Sequence, residues 1–369
     1  MRRFQDLASK EKKLRFGFQG ISYPDVDLTI DWARQADAAG FDFVAMPDHL
    51  FHPRSEVFLS KGAWDVDAVL GATAATTRSI RMMPAVTDTV RRHPATTAHF
   101  ISTLDRISHG RAMLGIGAGE LFNFQPLGDV VWERPVHRLR EALKVIKALW
   151  SATKEEPANF QGEIFSLKNA WLGLLPIQTP HPPIYVGGYG PKMKALVAEE
   201  GDGWFPWLET PETYRRGSDQ ITSEAIRLGR NPEEIDRAVE VFTAITSDES
   251  QVKQIAQRAS IGIAIRQDLL RQMGFERLAD ESIDVSRAEF RVQDWSRIDS
   301  VAERIPGDAV RDVIISGTPD QAIGRIEEYL KAGVRSLVLI SPTDMIKQNI
   351  AAYRDEIMPY FLSPDHHGL

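Results

Sequence analysis

Residues 38–46 read AAGFDFVAM, a stretch in which a glycine closes a helix-like segment and an apolar run follows at once. The same arrangement returns at residues 108–116, 199–205 and 331–340. Glycine suits the end of a helix because the left-handed backbone conformation found there carries no side-chain penalty for it. Each copy therefore predicts a junction between a helix and the strand that follows it.

Apolar runs of strand length occur at eight places along the chain. They lie at residues 14–19, 43–47, 80–86, 112–117, 184–187, 203–206, 239–245 and 336–340. Strands and helices that alternate through short loops call for a parallel sheet buried on both faces, because right-handed crossovers place helices over it. Eight such units predict an α/β fold of the (β/α)8 TIM barrel type.

Two segments between these strands carry clear helical patterns. Apolar residues between positions 136 and 150 repeat at spacings of three and four, which is typical of an amphipathic helix. Thr318 predicts an N-cap, with Pro319 at the first helical position and Gln321 completing a capping box. Both helices fit the expected alternation.

Segment 246–316 is much longer than an ordinary connection and contains a helical pattern at 261–273. We expect a single domain over residues 1–369, with this segment inserted after the seventh strand. Loops that follow barrel strands carry the active site, so the insertion would lie at the ligand-binding end. It would be a helical lid or dimerisation element, or a structural excursion without a role in binding.

Composition narrows the class of protein. The 369 residues carry a formal net charge of −7, and the basic clusters are too short to bind nucleic acid. Cysteine is absent, which excludes disulfides and thiolate metal sites. The polar start of the chain and the lack of a run of about 18 apolar residues predict a cytoplasmic protein that does not cross a membrane.

Asp48 and His49 follow the second predicted strand, where a barrel carries its site. A histidine there can take or give a proton beside a bound ring, and Asp48 can orient it. The alternative is a histidine with a structural role in the loop. His52 invites a metal site with these two residues, but loop spacing does not fix a common face and no Glu-x-x-His partner occurs, so no metal is predicted.

Residues 114–123 read LGIGAGELFN, at the end of the fourth predicted strand. Gly117 and Gly119 let the backbone approach a flat ring or a phosphate closely. A dinucleotide fingerprint needs a third glycine that opens a helix, whereas this chain has Glu120 there and no convincing helix before about residue 133. A Rossmann fold is therefore not expected.

Residues 185–192 read YVGGYGPK, a strand followed by a glycine turn and a helix start. Such a turn offers backbone amides and the positive end of a helix to an anion, and in a barrel a cofactor phosphate is the favoured ligand. Aromatic residues at 204–208, with Phe51 and Trp64 in earlier loops, could form a substrate wall or complete the barrel core.

With these motifs the chain resembles the bacterial luciferase-like superfamily over nearly its whole length. Within that superfamily it resembles the coenzyme F420-dependent oxidoreductases more than the FMN monooxygenases. The resemblance is carried by Asp48 and His49, by Gly117, Ala118, Gly119 and Glu120 with Asn123, by residues 187–191 and by residues 201–204.

The resemblance implies coenzyme F420 as the cofactor, with FMN as the alternative. Asp48 would contact the deazaflavin ring, while His49 and Glu120 would be catalytic acids or bases. A non-proline cis peptide near residues 84–86 would form a bulge behind the ring, although Pro84 departs from the commonest family pattern. The other predicted cofactor-binding residues are Pro84, Ala85, Gly117, Ala118, Gly119, Asn123, Gly187, Gly188, Tyr189 and Gly190.

The resemblance also implies a homodimer that acts on a small molecule. Sugar-phosphate dehydrogenases of the family carry a lysine soon after the Gly-Asp-Gly strand, but residues 207–210 offer none, so an uncharged alcohol, ketone or unsaturated carbonyl fits better. The predicted function is hydride transfer between a deazaflavin and such a substrate. The alternatives are an FMN-dependent monooxygenase and a non-catalytic flavin-binding protein.

Overall fold

The computed structural model describes residues 14–20, 25–51, 64–284, 287 and 294–363. The strands are β1 (Arg15–Gly20), β2 (Phe43–Met46), β3 (Arg81–Pro84), β4 (Thr87–Asp88), β5 (Leu114–Gly117), β6 (Ala158–Gln161), β7 (Ser166–Ala170), β8 (Ile184–Val186), β9 (Gly203–Trp204), β10 (Asp236–Ile245), β11 (Ile314–Gly317) and β12 (Ser336–Ser341). β6 and β7 form an antiparallel pair, and the other ten strands form one parallel sheet.

The parallel sheet closes into a barrel. Its order is β3-β2-β1-β12-β10-β9-β8-β5-β4, with β11 paired to β10. A parallel bridge between Met82 of β3 and Ala112, just before β5, closes the ring, and Met113 N donates to Met82 O over 2.9 Å. The predicted TIM barrel is thereby confirmed.

Each predicted strand position contains a barrel strand. The parallel sheet has two further strands, β4 and β11. The predicted third strand is split into β3 and β4 by a bulge at residues 85–86, where the Ala85–Val86 peptide bond is cis. This confirms the cis peptide predicted there. β11 pairs with the last four residues of β10, from Phe242 to Ile245.

Helices cover the outside of the barrel. They are α1 (Val26–Ala38), α2 (Val66–Thr76), α3 (Pro94–Ile107), α4 (Pro135–Ser151), α5 (Pro191–Glu200), α6 (Pro211–Arg227), α7 (Glu249–Ala264), α8 (Gln267–Gln272), α9 (Glu276–Glu281), α10 (Trp295–Ala302), α11 (Gly307–Arg311), α12 (Pro319–Lys331), α13 (Ile346–Ala352) and α14 (Met358–Leu362). Among the helices of the described ranges, none has both the length and the apolar composition that crossing a membrane requires.

The helix ends agree with the sequence predictions, except that Gly201 does not adopt a left-handed conformation. The predicted capping box is present, because Thr318 and Gln321 each bond the backbone of the other. Gly40, Gly110 and Gly333 have left-handed φ values of +83°, +85° and +97°. Gly201 instead has a φ of −85°. It needs glycine for space, since a Cβ there would lie 3.0 Å from the backbone oxygen of Val197.

The barrel interior is plugged below the site. An apolar cluster fills its middle, formed by Phe43, Ala45, Met83, Met113, Tyr185, Phe205, Ala238 and Val338. Beneath the cluster Asp236 pairs with Arg15 and accepts hydrogen bonds from Tyr185 Oη and Ser336 Oγ, both 2.8 Å long. Among the described residues, these side chains fill the barrel at the end opposite the cavity.

Segment 246–316 holds α7 to α11 after β10, and its last three residues belong to β11. The helical pattern at 261–273 is divided, since α7 ends at Ala264 and α8 starts at Gln267. The chain turns between them because Arg266 leaves the helical conformation, with φ −112° and ψ 84°. That turn directs the Arg266 side chain inward, where it is 5% exposed.

Candidate active site

A cavity of about 980 Å³ lies at the carboxyl ends of the barrel strands. It is lined by twelve of the predicted site residues: Asp48, His49, Ala85, Gly117, Ala118, Gly119, Glu120, Asn123, Gly187, Gly188, Tyr189 and Gly190. Pro84 is buried and is not among the described lining residues; its backbone oxygen faces Gly115 instead. Barrel closure thus gathers loops from separate parts of the sequence around one space. The roles predicted for these residues stay predictions.

Asp48 is held by two arginines. Its Oδ2 accepts hydrogen bonds from Thr87 Oγ1 over 2.7 Å and from Arg92 Nη1 over 2.6 Å. Arg91 Nη2 lies 2.9 Å from the same oxygen and donates over 2.8 Å to the backbone oxygen of Asp48. Sequence reasoning missed both arginines, which it counted only as a short basic cluster. The sequence could have indicated them, because they follow the third predicted strand just as Asp48 follows the second, and the two strand ends lie side by side in a barrel.

Asn123 fixes the loop that carries His49. Its Oδ1 accepts from the backbone N–H groups of Leu50 and Phe51, over 2.8 and 3.1 Å, and its Nδ2 donates over 3.3 Å to the backbone oxygen of Asp48. An asparagine amide can satisfy both kinds of group at once because it is donor and acceptor. This residue of the fourth-strand motif therefore positions the second-strand loop.

His49 stacks on Phe122, with 5.8 Å between ring centroids and 28° between ring planes. Burial and then the positive charge of Arg91 lower the pKa of His49 to about 4. The imidazole is consequently neutral near pH 7, a form that can accept a proton or share a hydrogen bond.

The pKa of Glu120 is shifted upward, in the opposite direction to that of His49. Burial, followed by the charges of Asp284 and Asp88, raises the pKa of Glu120 to about 7, against a smaller lowering by Arg91. A carboxyl group with this pKa holds its proton for much of the time at neutral pH and can give it up, which suits a general acid or base. The site thus contains a neutral imidazole and a carboxyl group close to its titration point.

Glycines next to the bulge leave room for a flat ligand. A Cβ added at Gly117 would lie 3.0 Å from Val86 Cγ2, and one at Gly187 would lie 3.2 Å from the same atom. At Gly119, where φ is +85°, a Cβ would lie 2.4 Å from Phe124 Cζ. Side chains at Gly117 and Gly187 would fill the surface beside Val86, and one at Gly119 would collide with Phe124. The residues present therefore fit a flavin-type ring, which needs such a surface.

The cavity floor carries two polar groups that the sequence analysis did not identify. Glu240, in β10, is 6% exposed, and burial raises its pKa to about 8. Gln19, in β1, also lines the cavity. The sequence did contain a signal for Glu240, because it is a single carboxylate within the apolar run VEVF at residues 239–242. A charge buried in a strand has to be paired or neutralised, so such a residue often has a special role.

The aromatic stretch after the sixth barrel strand divides between core and cavity. Trp204 stacks on Tyr214 in the core, with 4.8 Å between ring centroids. Phe205 and Trp207 line the cavity, and Trp207 meets Phe242 edge-on at 6.0 Å. The core interpretation thus holds for Trp204, and the substrate wall stays a prediction for Phe205 and Trp207. Phe51 and Trp64 are not among the described residues that line the cavity.

The insertion forms part of the cavity wall. Ile265, Arg287 and Trp295 line the cavity. Arg266 Cζ lies 3.3 Å from the centroid of the Tyr189 ring, which also lines it. The guanidinium donates to Glu209 Oε1 over 2.9 Å and to Asp268 Oδ2 over 2.7 Å. This arrangement links the insertion to the glycine turn after β8.

Positive groups surround the cavity where it meets the helices. They are Arg134, Arg140, Lys192 and Arg287. α5 begins at Pro191 beside this opening, and its N-cap, Gly190, makes no side-chain cap hydrogen bond. Free backbone amides at a helix N-terminus, together with nearby cations, favour an anionic group.

A TIM barrel with a glycine-lined cavity, a bulged third strand and titratable groups at its strand ends defines a class of barrel enzymes that bind a flat redox cofactor. The sequence matches the profile of the luciferase-like monooxygenase family over residues 10–336. The chain belongs to this family, and it is an oxidoreductase.

The chain is similar to two curated reductases and to one solved reductase structure. The chain is 32% identical over 335 residues to 5,10-methylenetetrahydromethanopterin reductase of Archaeoglobus fulgidus, covering 89% of this chain and 94% of that protein. It is 33% identical over 272 residues to phthiodiolone/phenolphthiodiolone dimycocerosates ketoreductase of Mycobacterium tuberculosis, covering 71% and 70%. The structure of coenzyme F420-dependent tetrahydromethanopterin reductase from Methanopyrus kandleri superposes with a TM-score of 0.76 and 25% identity, covering 95% and 99% of the two chains.

Proposed function

We propose that this protein is a coenzyme F420-dependent oxidoreductase that transfers a hydride between the deazaflavin and a small, non-phosphorylated organic substrate. The observation that carries the proposal is the glycine-lined surface beside the Ala85–Val86 bulge, with His49 and Glu120 facing the same cavity. An F420-dependent reductase among the similar structures supports the cofactor.

Several residues would hold the cofactor. Gly117, Gly119 and Gly187 would lie against the ring, with Val86 behind it. The N-terminus of α5 and the positive groups around the opening would bind an anionic tail. When bound, the deazaflavin supplies the hydride chemistry, and the protein supplies position and proton management.

His49 and Glu120 would manage protons in complementary ways. The neutral imidazole of His49 would accept a proton, or hold a hydrogen bond to a substrate hydroxyl, when an alcohol is oxidised. Glu120, with its pKa near 7, would donate a proton when a carbonyl is reduced. Asp48 and Asn123 would keep the His49 loop in place, because their polar groups bind Arg91, Arg92 and the loop backbone.

The inner part of the cavity favours an uncharged substrate. Phe205, Trp207, Phe242 and Ile340 supply apolar surface there. An alcohol, a ketone or an unsaturated carbonyl compound would bury its hydrocarbon part against these side chains, whereas a phosphate would lose its hydration without gaining a cation. The ketoreductase among the relatives acts on a ketone, as its name states, which agrees with this substrate class.

The deciding experiment is a pair of titrations of the purified protein with F420 and with FMN, each followed by cofactor fluorescence. We expect F420 to bind more tightly. Turnover with a panel of alcohols and ketones then tests the reaction, and His49→Ala should lose turnover while it still binds the cofactor. Preferential binding of FMN, or full turnover by His49→Ala, contradicts the proposal.

An FMN-dependent monooxygenase is the second candidate, favoured by the family that the sequence matches. Oxygen consumption with reduced FMN and an organic substrate would identify it. A non-catalytic flavin-binding protein, the other alternative from the sequence, would bind cofactor without any turnover. The joint placement of His49 and Glu120 at one cavity argues against it. A homodimer stays a prediction, which light scattering on the purified protein would test.

A further inference from the structure

The cavity floor carries two polar side chains that hydride transfer does not use. Glu240 is 6% exposed and Gln19 is 7% exposed, and both line the cavity. Glu240 Oε1 and Gln19 Oε1 are buried oxygens without a hydrogen-bond partner among the described residues. Burying a polar atom without a partner is unfavourable, so two such oxygens at one cavity indicate a polar ligand that forms hydrogen bonds with them.

These side chains rise from an arc of the barrel that is separate from the predicted cofactor residues. Gln19 is in register with Ile340 of β12, and Ile340 with Phe242, which shares a face of β10 with Glu240 two residues earlier. The predicted cofactor residues follow β2, β3, β5 and β8, which form the rest of the ring together with β4 and β9. A ligand bound at the floor would accordingly be the substrate and not the cofactor ring.

The surroundings of Glu240 keep its carboxyl group protonated. The side chains that line the floor around it, from β1, β10, β12 and the end of β9, are Gln19, Phe205, Trp207, Phe242 and Ile340, none of which titrates near neutral pH. Burial is the sole cause that raises the pKa of Glu240 to about 8. Near pH 7 one carboxyl oxygen therefore donates a hydrogen bond while the other accepts one.

A carboxylic acid that donates from one oxygen and accepts at the other matches the edge of a cyclic amide, whose carbonyl oxygen and N–H lie side by side. We propose that Glu240 and Gln19 bind a neutral amide or lactam group of the substrate, with Glu240 pairing with its carbonyl oxygen and N–H and Gln19 Oε1 sharing that N–H as a second acceptor. The inference rests on the proposed function for treating this ligand as the substrate. Binding of the amide itself does not require F420.

The test uses 2-piperidone, a cyclic amide, and N-methyl-2-piperidone, which lacks the N–H donor. Their dissociation constants are measured on the full chain, without cofactor, by ligand-observed NMR titration. We expect the wild-type protein to bind 2-piperidone about tenfold more tightly, the value of roughly one buried hydrogen bond. Glu240→Gln keeps a neutral donor and acceptor and should keep this preference. Glu240→Met should abolish it, and Gln19→Leu should reduce it.

The pH dependence supplies a second measurement that does not depend on Glu240→Met being folded. Raising the pH from about 6 to about 9 should reduce the preference in the wild type, because ionised Glu240 has no proton to donate, and should leave it unchanged in Glu240→Gln. Glu234→Gln, at an exposed position, is the matched control and should behave as the wild type.

Equal binding of the two piperidones by the wild-type protein would overturn the proposal. A wild-type preference that does not change with pH would also overturn it, as would a preference that survives in both Glu240→Met and Gln19→Leu. Failure of F420 to bind contradicts the proposed function alone, because the piperidone titrations contain no cofactor.

Discussion

Arg91 and Asp48 form a buried ion pair in the wall of the cavity, with 2.9 Å between Arg91 Nη2 and Asp48 Oδ2. The same guanidinium donates from Nε to Asp88 Oδ2 over 2.6 Å. One arginine thus joins the loop after β2 to the bulged third strand. Its charge also acts on both proposed proton-transfer groups, since it lowers the pKa of His49 and of Glu120.

Replacing Arg91 with methionine should raise the pKa of both groups. Without the nearby positive charge, the protonated form of His49 becomes less unfavourable, so its pKa rises above about 4, and the pKa of Glu120 rises above about 7. NMR titration of the His49 ring measures the first shift. Arg78→Met, at an exposed position, is the control and should leave the His49 titration unchanged. An unchanged His49 titration in Arg91→Met would show that the charge of Arg91 does not lower the pKa of His49.

Carbonyl reduction should slow as the pH rises through about 7. Glu120 is protonated below its pKa of about 7 and ionised above it, so the proton donor is lost on the alkaline side. Glu120→Gln should remove this limb from the pH profile of kcat and lower kcat by about 100-fold or more, the usual contribution of a general acid. A profile with the same limb in Glu120→Gln would assign the titration to another group.

Glu240 should make the free energy of unfolding fall as the pH rises. Its pKa is about 8 in the folded protein and 4.5 as the ordinary value, so between these limits the folded state alone holds the proton. This stabilisation is complete below pH 4.5 and is lost as the pH rises to about 8, at about 1.4 kcal/mol per pH unit. Glu240→Gln removes that contribution.

Urea denaturation at several pH values between these limits measures the slope for the wild type and for Glu240→Gln. The difference between the two proteins isolates Glu240, because the other titrating groups are common to both. Glu234→Gln again serves as the exposed control. Identical slopes in wild type and Glu240→Gln would show that Glu240 is already ionised near neutral pH.

Two glycine substitutions should have opposite effects on stability. A Cβ at Gly115 would lie 2.1 Å from the backbone oxygen of Pro84, so Gly115→Ala requires the bulged third strand to move and should destabilise the fold and weaken cofactor binding. Gly71 lies in α2 with open space around its Cβ position. Gly71→Ala should stabilise the protein by about 0.5–1 kcal/mol through helix propensity. Thermal unfolding of both variants checks the pair.

Arg266 should hold the Tyr189 ring in place in the cavity wall. Arg266→Lys keeps a positive charge but loses the planar group that covers the Tyr189 ring and donates to both Glu209 and Asp268. Removing it altogether, as in Arg266→Met, leaves the buried Glu209 carboxylate without its partner and should cost about 3 kcal/mol. Urea denaturation gives this value.

The matched control is Arg277→Met. Arg277 also pairs with a glutamate of the insertion, Glu281, but its side chain is 91% exposed. Ion pairs in water contribute little, so this variant should unfold as the wild type does. If Arg266→Lys matches the wild type in stability and in cofactor affinity, the geometry over Tyr189 does not matter.

The amino-acid sequence by itself determined the barrel and the position of its site. At the four places predicted from it, glycine at a helix end followed by an apolar run precedes a strand, because helix ends and strands depend on local backbone preference and on burial. Residues 48–49, 117–123 and 187–190 could be placed at one cavity because the carboxyl ends of parallel barrel strands meet at one end.

Only the tertiary structure decided which side chains meet across that cavity. Arg91 binds Asp48, 43 positions away, and Arg266 covers Tyr189 from the insertion. Glu240 and Gln19 share a floor although they lie in the seventh and first barrel strands. These pairings depend on the register and closure of the sheet, and a local pattern carries no information about either. The pKa values of His49, Glu120 and Glu240 follow from the same closure, because burial is the largest cause of each shift.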